Sequence, residues 1–496
     1  MSETRRFGEE SKWIWLLLTT ALFVVRLMPY AAAELWYDEV LTLTDFSLDL
    51  RGRGVIAAIF RNYPMANNHI LNSAIYWAWV RILNFTIIPE QLLRLPSLLA
   101  GLGTLWLCML HWRRWLGART CVLGGILIAL SPVFTAYAWQ IRGYSLTIFL
   151  SALCISGALE YYSGQKRRGL VLGCVAGILL PLVMPSNLML APLAAILYES
   201  PFRRVREKLR AALPVLASFI LGGAYYLTIW EQFLKTTKEP AGWESAWAVL
   251  GNLLLAFVAH TLPLFCIQLK QSISSAKNCL ESLKSKEPSL ALWEPALLLG
   301  PLVLIGAVLL LSRSGQAPYP RVFLVFLPQV TFGVLLALSR TDFSSPRYLA
   351  LLFLVTINAL LWERIPSELT QNELRQGRSP SNLLQQYYRG SPEIKDAIFF
   401  ANEKFGLQKT FIITDEYDFP TARFYAALQG TPGDNVTTFN RSPEGCWKQL
   451  PYPRPTLLVI AKTPGSAAFL AKHAGASATP KTLRKLDIRT LYTLEE

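Results

Sequence analysis

Charge is what this sequence has least of. Aspartate, glutamate, lysine and arginine make up 16% of its 496 residues, where soluble domains carry roughly 25%. Hydrophobic residues make up 52%. A deficit of that size, spread over most of the chain, excludes a string of ordinary soluble domains and implies a polytopic membrane protein. Cysteine is sparse as well. There are seven, without metal-ligand spacing. Six lie in or between apolar runs, and Cys446 stands alone in the polar C-terminal part, where it cannot close an internal disulfide. Repeats and low-complexity tracts are missing. The excess of base over acid gives a net charge of +15, but the lysines and arginines fall in short clusters between apolar runs. That is the pattern of cytoplasmic loops, not of a nucleic-acid surface. No small-residue cleavage site follows the first apolar run, Trp13 to Ala33, so it is expected to be a retained helix.

The apolar runs place candidate spans at 13–33, 92–111, 121–138, 143–161, 169–184, 187–200, 211–230, 244–263, 290–311, 321–339 and 347–363, most near the ~20 residues a spanning helix needs. Basic clusters follow every second span: Arg113, Arg114 and Arg119; Lys166, Arg167 and Arg168; Arg203 to Arg210; and Lys270 to Lys286. The positive-inside bias then puts the N-terminus in the cytoplasm and, with eleven spans, the C-terminus outside. The run 69–85 breaks this parity if it crosses. It is therefore read as a juxtamembrane helix at the outer interface. MPSN, residues 184–187, splits the apolar stretch 169–200 into two short helices, because Pro185 interrupts it.

From residue 364 the composition becomes mixed. KTFIITD and PTLLVIA read as buried strands, and SNLLQQYYRGSPEIKDAIFFANEKFG, FPTARFYAALQG and GSAAFLAKHAG as helices. Alternation of this kind implies a small α/β domain. The expected organisation is a membrane domain over 1–363 and an extracytoplasmic α/β domain over 364–496.

Groups capable of chemistry collect on the outer face. ELWYDEV, residues 34–40, places Asp38 and Glu39 at the mouth of the first helix, between interfacial aromatic anchors. Ionisable groups near a membrane interior are costly and tend to be functional. A positioned carboxylate there can act as a general base, and a second can orient it or an acceptor. NNHIL brings Asn68 and His69 to the start of the juxtamembrane helix, where a histidine can contact a phosphate or simply serve as a polar end group. Arg142 in WQIRGYS and Arg321 in APYPRVF sit on the outer face against the positive-inside trend. Two such arginines beside a carboxylate loop suit a phosphate clamp, with Tyr144 and Tyr319 as further donors. Arg51, Arg53 and Arg61 lie on an amphipathic stretch suited to lipid headgroups. TDEYD, residues 414–418, ends a predicted strand and reads as a solvated edge, with contact to an acceptor as the alternative.

In this order the motifs resemble the GT-C superfamily of membrane glycosyltransferases, in particular the branch holding protein O-mannosyltransferases and lipid A aminoarabinose transferases. The resemblance runs over residues 13–340: YDE after the first span, NNHIL before a juxtamembrane helix, LLRLPSLLAGL opening the next span, QIRGYS after the third, and APYPRVFLVFLP before a late one. It implies an all-α membrane domain of seven conserved spans plus juxtamembrane helices, here about 13–230, and then a variable part, which in this chain holds the spans over 244–363 and the C-terminal α/β domain. This chain departs from the branch at His69-Ile70-Leu71, where relatives commonly have His-Pro-Pro or Lys-Pro-Pro, and at Ile141-Arg142-Gly143, where Ala-Arg is common. The implied activity is transfer of one sugar from a polyprenyl-phosphate donor to a lipid, glycan or protein acceptor outside the inner membrane, with inversion. Asp38 would be the base, and Arg142 and Arg321 would stabilise the leaving phosphate. No cofactor is implied, a divalent cation being the open alternative.

Two other classes compete. A transporter or flippase should show inverted repeats and ionisable residues buried mid-span, and the sequence shows neither. A silent lipid-binding scaffold should be indifferent to loss of Asp38. A diphosphate-linked donor would favour a DxD-type metal pair, which the outer loops lack.

Overall fold

The computed structural model describes residues 3–48, 54–61, 68–83, 89–198, 205–238, 243–257, 304–312, 316–339, 349–358, 360–361, 393–430, 435–451, 453–477, 479–486 and 489–493. Arg51, Arg53, the lysines at 270–286 and most of the expected span 290–311 lie outside these residues.

The helix Glu3–Ala32 carries a stretch, Lys12–Ala32, long and apolar enough to cross a membrane. Its Leu17 and Val25 are 68% and 71% exposed. A stripe of that kind would be an aggregation hazard in water, whereas lipid tails are as apolar as leucine. Leu95–Leu116, Tyr144–Tyr162 and Ala212–Lys235 meet the same test. The expected span 121–138 is instead two helices, Ala118–Leu130 and Pro132–Ala138, bent by 61°. Ser131 causes the break: its hydroxyl accepts a hydrogen bond from Phe134 N–H at 3.1 Å, and Pro132 takes the first turn of the new helix,. Among the described residues the count is therefore four spanning helices, or five with the bent pair, and the expected eleven is not reached. Pro185–Tyr198, Ala246–Phe257, Pro320–Leu336 and Leu349–Asn358 are apolar but shorter.

The break at MPSN is present. The helix Lys166–Val183 stops, Met184 is extended, and Pro185–Leu190 winds as a 3-10 helix before Ala191–Tyr198. The juxtamembrane segment forms the helix Ile70–Ile82, whose 13 residues fall short of the bilayer's ~30 Å hydrocarbon core. At the bundle centre Tyr144–Tyr162 packs on Lys166–Val183 with backbones nearly touching. A Cβ on Gly157 would lie 2.8 Å from Gly169 O and 2.9 Å from Gly173 N, so only glycine fits there,.

The C-terminal part holds a five-stranded mixed sheet in the order Val436–Thr438, Thr410–Thr414, Thr456–Ala461, Thr490–Thr493, Lys481–Lys485. The first three strands are parallel and the last two antiparallel. Strand residues alternate between two cores. Ile412, Leu458 and Ile460 join Ile394 and Phe424 of the helices Ile394–Phe405 and Phe419–Leu428 on one face, while Phe411, Ile413, Leu457 and Val459 join Ala467 and Leu470 of Pro464–Ala474 on the other. The first core also takes in Leu35, Val40 and Leu43, so the α/β part sits directly on the loop that follows the first span. Glu34 fastens the joint. Its carboxyl accepts the backbone N–H groups of Ile394 (3.1 Å) and Lys395 (2.6 Å) at the start of a helix, while Lys395 Nζ reaches Glu90 at 2.6 Å.

Candidate active site

Asp38 stands on the short helix Tyr37–Leu41, directly after the first span. This loop is held by Arg94. Its guanidinium donates to both oxygens of Glu39, Nε to Oε1 at 2.9 Å and Nη2 to Oε2 at 2.6 Å. It also donates to the carbonyls of Tyr30, Ala31, Ala33 and Glu34, at and just beyond the end of the first spanning helix,. Glu39 completes the lock by accepting from Ile141 N–H at 2.8 Å. Arg94 and Glu39 are both fully buried. With its neighbour anchored this way, Asp38 has little freedom of position.

The Asp38 carboxylate faces two arginines. Its Oδ2 lies 3.4 Å from Arg142 Nη1 and 3.7 Å from Arg321 Nη1, with side-chain exposures of 13% for Asp38, 2% for Arg142 and 16% for Arg321. These three residues are 104 and 179 positions apart in sequence from one another. Arg142 comes from the turn between Pro132–Ala138 and Tyr144–Tyr162, and its Nη2 lies 3.3 Å from the Tyr144 hydroxyl. Arg321 follows Pro320, which starts the 3-10 helix Pro320–Phe326. A two-stranded antiparallel pairing of Trp243–Ser245 with Gln316–Pro318 fixes the chain just before it. The Arg321 guanidinium lies over the Tyr319 ring at 5.0 Å.

His69 accepts a hydrogen bond from Gly143 N–H at Nδ1, 2.7 Å away. The ring proton therefore sits on Nε2, 3.5 Å from Arg142 Nη2, a contact between two donors. Burial, with the charges of Arg142 and Arg321, lowers the His69 pKa well below the ordinary imidazole range,. A neutral His69 positions the Arg142 turn and adds no charge. Gly143 is needed at that turn, because a Cβ would lie 2.4 Å from Val183 Cγ1 and 2.7 Å from His69 Nδ1.

Of the residues expected from sequence, Asp38, Arg142, Arg321, His69, Tyr144 and Tyr319 are thus brought together. Glu39 and Asn68 have structural partners instead. The Glu39 carboxylate is engaged by Arg94. The Asn68 amide donates to Ile59 O at 2.8 Å and accepts from Ser73 Oγ at 2.9 Å. Sequence reasoning placed Arg94 inside LLRLPSLLAGL without a role. A lone arginine opening an apolar run was the available signal. Among the described residues no three His, Cys, Asp or Glu side chains are grouped to hold a metal ion.

Neither family models nor curated proteins give a match. Solved structures do. The chain superposes on ArnT from Cupriavidus metallidurans in the apo state over 97% of both chains, with a TM-score of 0.57 and 14% identity. It superposes on the same enzyme bound to undecaprenyl phosphate over 97% of this chain and 98% of that one, with a TM-score of 0.59 and 14% identity. The fold is that of ArnT. The likeness to ArnT covers 97% of this chain, membrane helices and C-terminal sheet together. At 14% identity it speaks for architecture, and the chemistry must be argued from this chain's own residues.

Proposed function

We propose that the protein is an inverting glycosyltransferase that moves a sugar from a polyprenyl-phosphate donor to an acceptor hydroxyl on the outer face of the membrane, with Asp38 as general base. The division into a transferase domain over 1–363 and an extracytoplasmic α/β domain over 364–496 is part of the same reading. One observation carries it: a carboxylate and two arginines from three distant segments meet at the mouth of a membrane helix, on one oxygen of Asp38.

That arrangement supplies both halves of the transfer. Asp38 takes the acceptor's proton as its oxygen bonds to the sugar C1 from the face opposite the phosphate. The bond from C1 to the phosphate oxygen breaks, and its electron pair leaves with the polyprenyl phosphate. Arg142 and Arg321 stabilise the charge that grows there, an effect worth roughly 2.7–4 kcal/mol per donor in comparable sites. Before donor binding the same arginines face Asp38, and a phosphate that draws them toward itself leaves the carboxylate free to take the acceptor's hydrogen bond. The binding of undecaprenyl phosphate by ArnT, which shares the fold, supports a polyprenyl-phosphate ligand for this site.

The direct test is to incubate purified protein with a panel of polyprenyl-phosphate sugars and acceptor-bearing membranes. Release of free polyprenyl phosphate with one of these sugars is the expected result. Tight binding of polyprenyl phosphate with no release from any of them would leave a scaffold.

A further inference from the structure

Beside the Asp38 loop lies a second feature that the chemistry above does not use. In the C-terminal sheet the parallel strands Thr410–Thr414 and Thr456–Ala461 are neighbours. The helix after the first, Phe419–Leu428, covers one face, and the helix after the second, Pro464–Ala474, covers the other. Chains leaving adjacent strand ends toward opposite faces make a topological switch point at the carboxyl edge of the sheet, where open α/β sheets usually form a ligand crevice. Asp415, Glu416 and Tyr417 follow the first strand, and Lys462 and Thr463 the second.

This edge meets the transferase loop. Tyr417 stacks on Tyr37, with ring centroids 4.8 Å apart and planes 11° apart, and Tyr37 is the residue before Asp38. Lys462 Nζ lies 5.9 Å from the Tyr417 ring. Tyr417 remains 39% exposed. The Asp38 and Glu416 charges join burial in raising the Tyr37 pKa, so both carboxylates lie within electrostatic reach of its hydroxyl. Thr414 and Thr438 end adjacent strands in register, and both hydroxyls are buried with no hydrogen-bond partner among the described residues. Tyr417 thus stacks on Tyr37, with the Lys462 ammonium over its ring and Glu416 next to it in the chain. A hydroxyl-rich ring that displaces the flexible ammonium lays apolar C–H groups on the half-exposed aromatic and pairs its hydroxyls with Lys462 and Glu416.

We infer that this edge, centred on Tyr417 and Lys462, binds the saccharide portion of the acceptor and presents its hydroxyl across Tyr37 to Asp38. The inference rests on the transferase reading and assigns the acceptor side of that site.

The test places a photo-crosslinking benzoylphenylalanine at Tyr417 in the full chain, in native cell envelopes, with the same group at Lys409 as control. Lys409 is exposed and directly precedes the opposite end of the same strand. The expected result is an adduct carrying carbohydrate by mass, at least tenfold more abundant at 417 than at 409. A lipid mass within the adduct assigns a glycolipid acceptor, and its absence assigns a soluble glycan. Equal yields at the two positions, an adduct with protein alone, or no carbohydrate adduct overturns the inference. Undecaprenyl-phosphate binding by the crosslinker variant reports folding, and where it is lost the crosslinker moves to Lys462 with the same outcomes. A carbohydrate adduct in a protein that releases no polyprenyl phosphate would sink the transferase reading and leave the edge as a saccharide site.

Discussion

Arg94 and Glu39 form a closed, fully buried ion pair with an Nη2–Oε2 distance of 2.6 Å, one residue away from Asp38. Removing one member of such a pair strands the other charge, which costs about 3–5 kcal/mol, whereas removing both with apolar groups of similar volume is often nearly neutral. Thermal unfolding of the purified protein should show Arg94→Met and Glu39→Met each strongly destabilised. The double variant should lose clearly less than the sum of the two single losses, because no charge is stranded, while staying destabilised by the backbone groups that Arg94 and Glu39 had paired and impaired in turnover because Asp38 is no longer anchored. A double loss equal to that sum would contradict the pairing.

Gly143→Ala should injure catalysis more than folding. The added methyl lies 2.7 Å from His69 Nδ1 and must push aside the histidine that holds the Arg142 turn. Overpacking of this kind costs ~1–3 kcal/mol of stability, and a shift of about 1 Å in a catalytic group can cost on the order of 10²-fold in rate. The check is turnover measured beside the unfolding midpoint: a midpoint that falls with turnover untouched would count against the positioning role.

His69 gives a pH signature. Its folded pKa is lowered by burial and by the Arg142 and Arg321 charges, while the unfolded imidazole titrates near ~6.5. Below that value the unfolded chain takes up a proton that the folded chain refuses, so stability is greatest above ~6.5 and falls as pH drops toward the folded value. The difference in unfolding midpoint between wild type and His69→Gln should therefore change between pH 7.5 and 5.5, wild type losing more on acidification. A constant difference would mean that His69 titrates normally.

Glu34 gives the opposite sign. Burial raises its pKa to about 8, against the lowering effect of two backbone N–H bonds. A raised carboxyl stabilises fully below its unfolded value and loses that contribution as pH rises through the folded one. The joint between the first-span loop and the helix Ile394–Phe405 should loosen as pH rises from 4.5 to about 8 and level off above that,. Hydrogen exchange at 394–405, corrected for its intrinsic pH dependence, should report this, and Glu34→Gln should remove it. Equal loosening in the variant would place the titration elsewhere.

Much of this was legible in the sequence because its signals are local. Hydropathy marks the helix after Trp13, Pro185 marks the break at MPSN, and β-branched runs mark Thr410–Thr414 and Thr456–Ala461. Misplaced arginines pointed to Arg142 and Arg321. Of the eleven expected spans, four, or five with the bent pair, are met among the described residues, with much of the later ones outside them; apolarity also does not say whether a run is straight, and Ser131 and Pro132 bend one run by 61°. The Glu39 pairing was invisible because Arg94 lies 55 residues away, and an acid beside another acid reads as a dyad until a distant cation claims one of them. The Tyr37–Tyr417 stack joins residues 380 apart in chain number, a relation no spacing rule can anticipate.

Asp38→Asn separates base from clamp. The amide keeps the shape of the carboxylate but cannot accept the acceptor's proton, and it releases Arg142 and Arg321 from a competing charge. Measured side by side, turnover should fall by roughly 10²-fold or more, while undecaprenyl-phosphate affinity holds or tightens. Turnover at the wild-type level, or affinity lost in step with turnover, would contradict the assignment of Asp38 as the base between two phosphate-binding arginines.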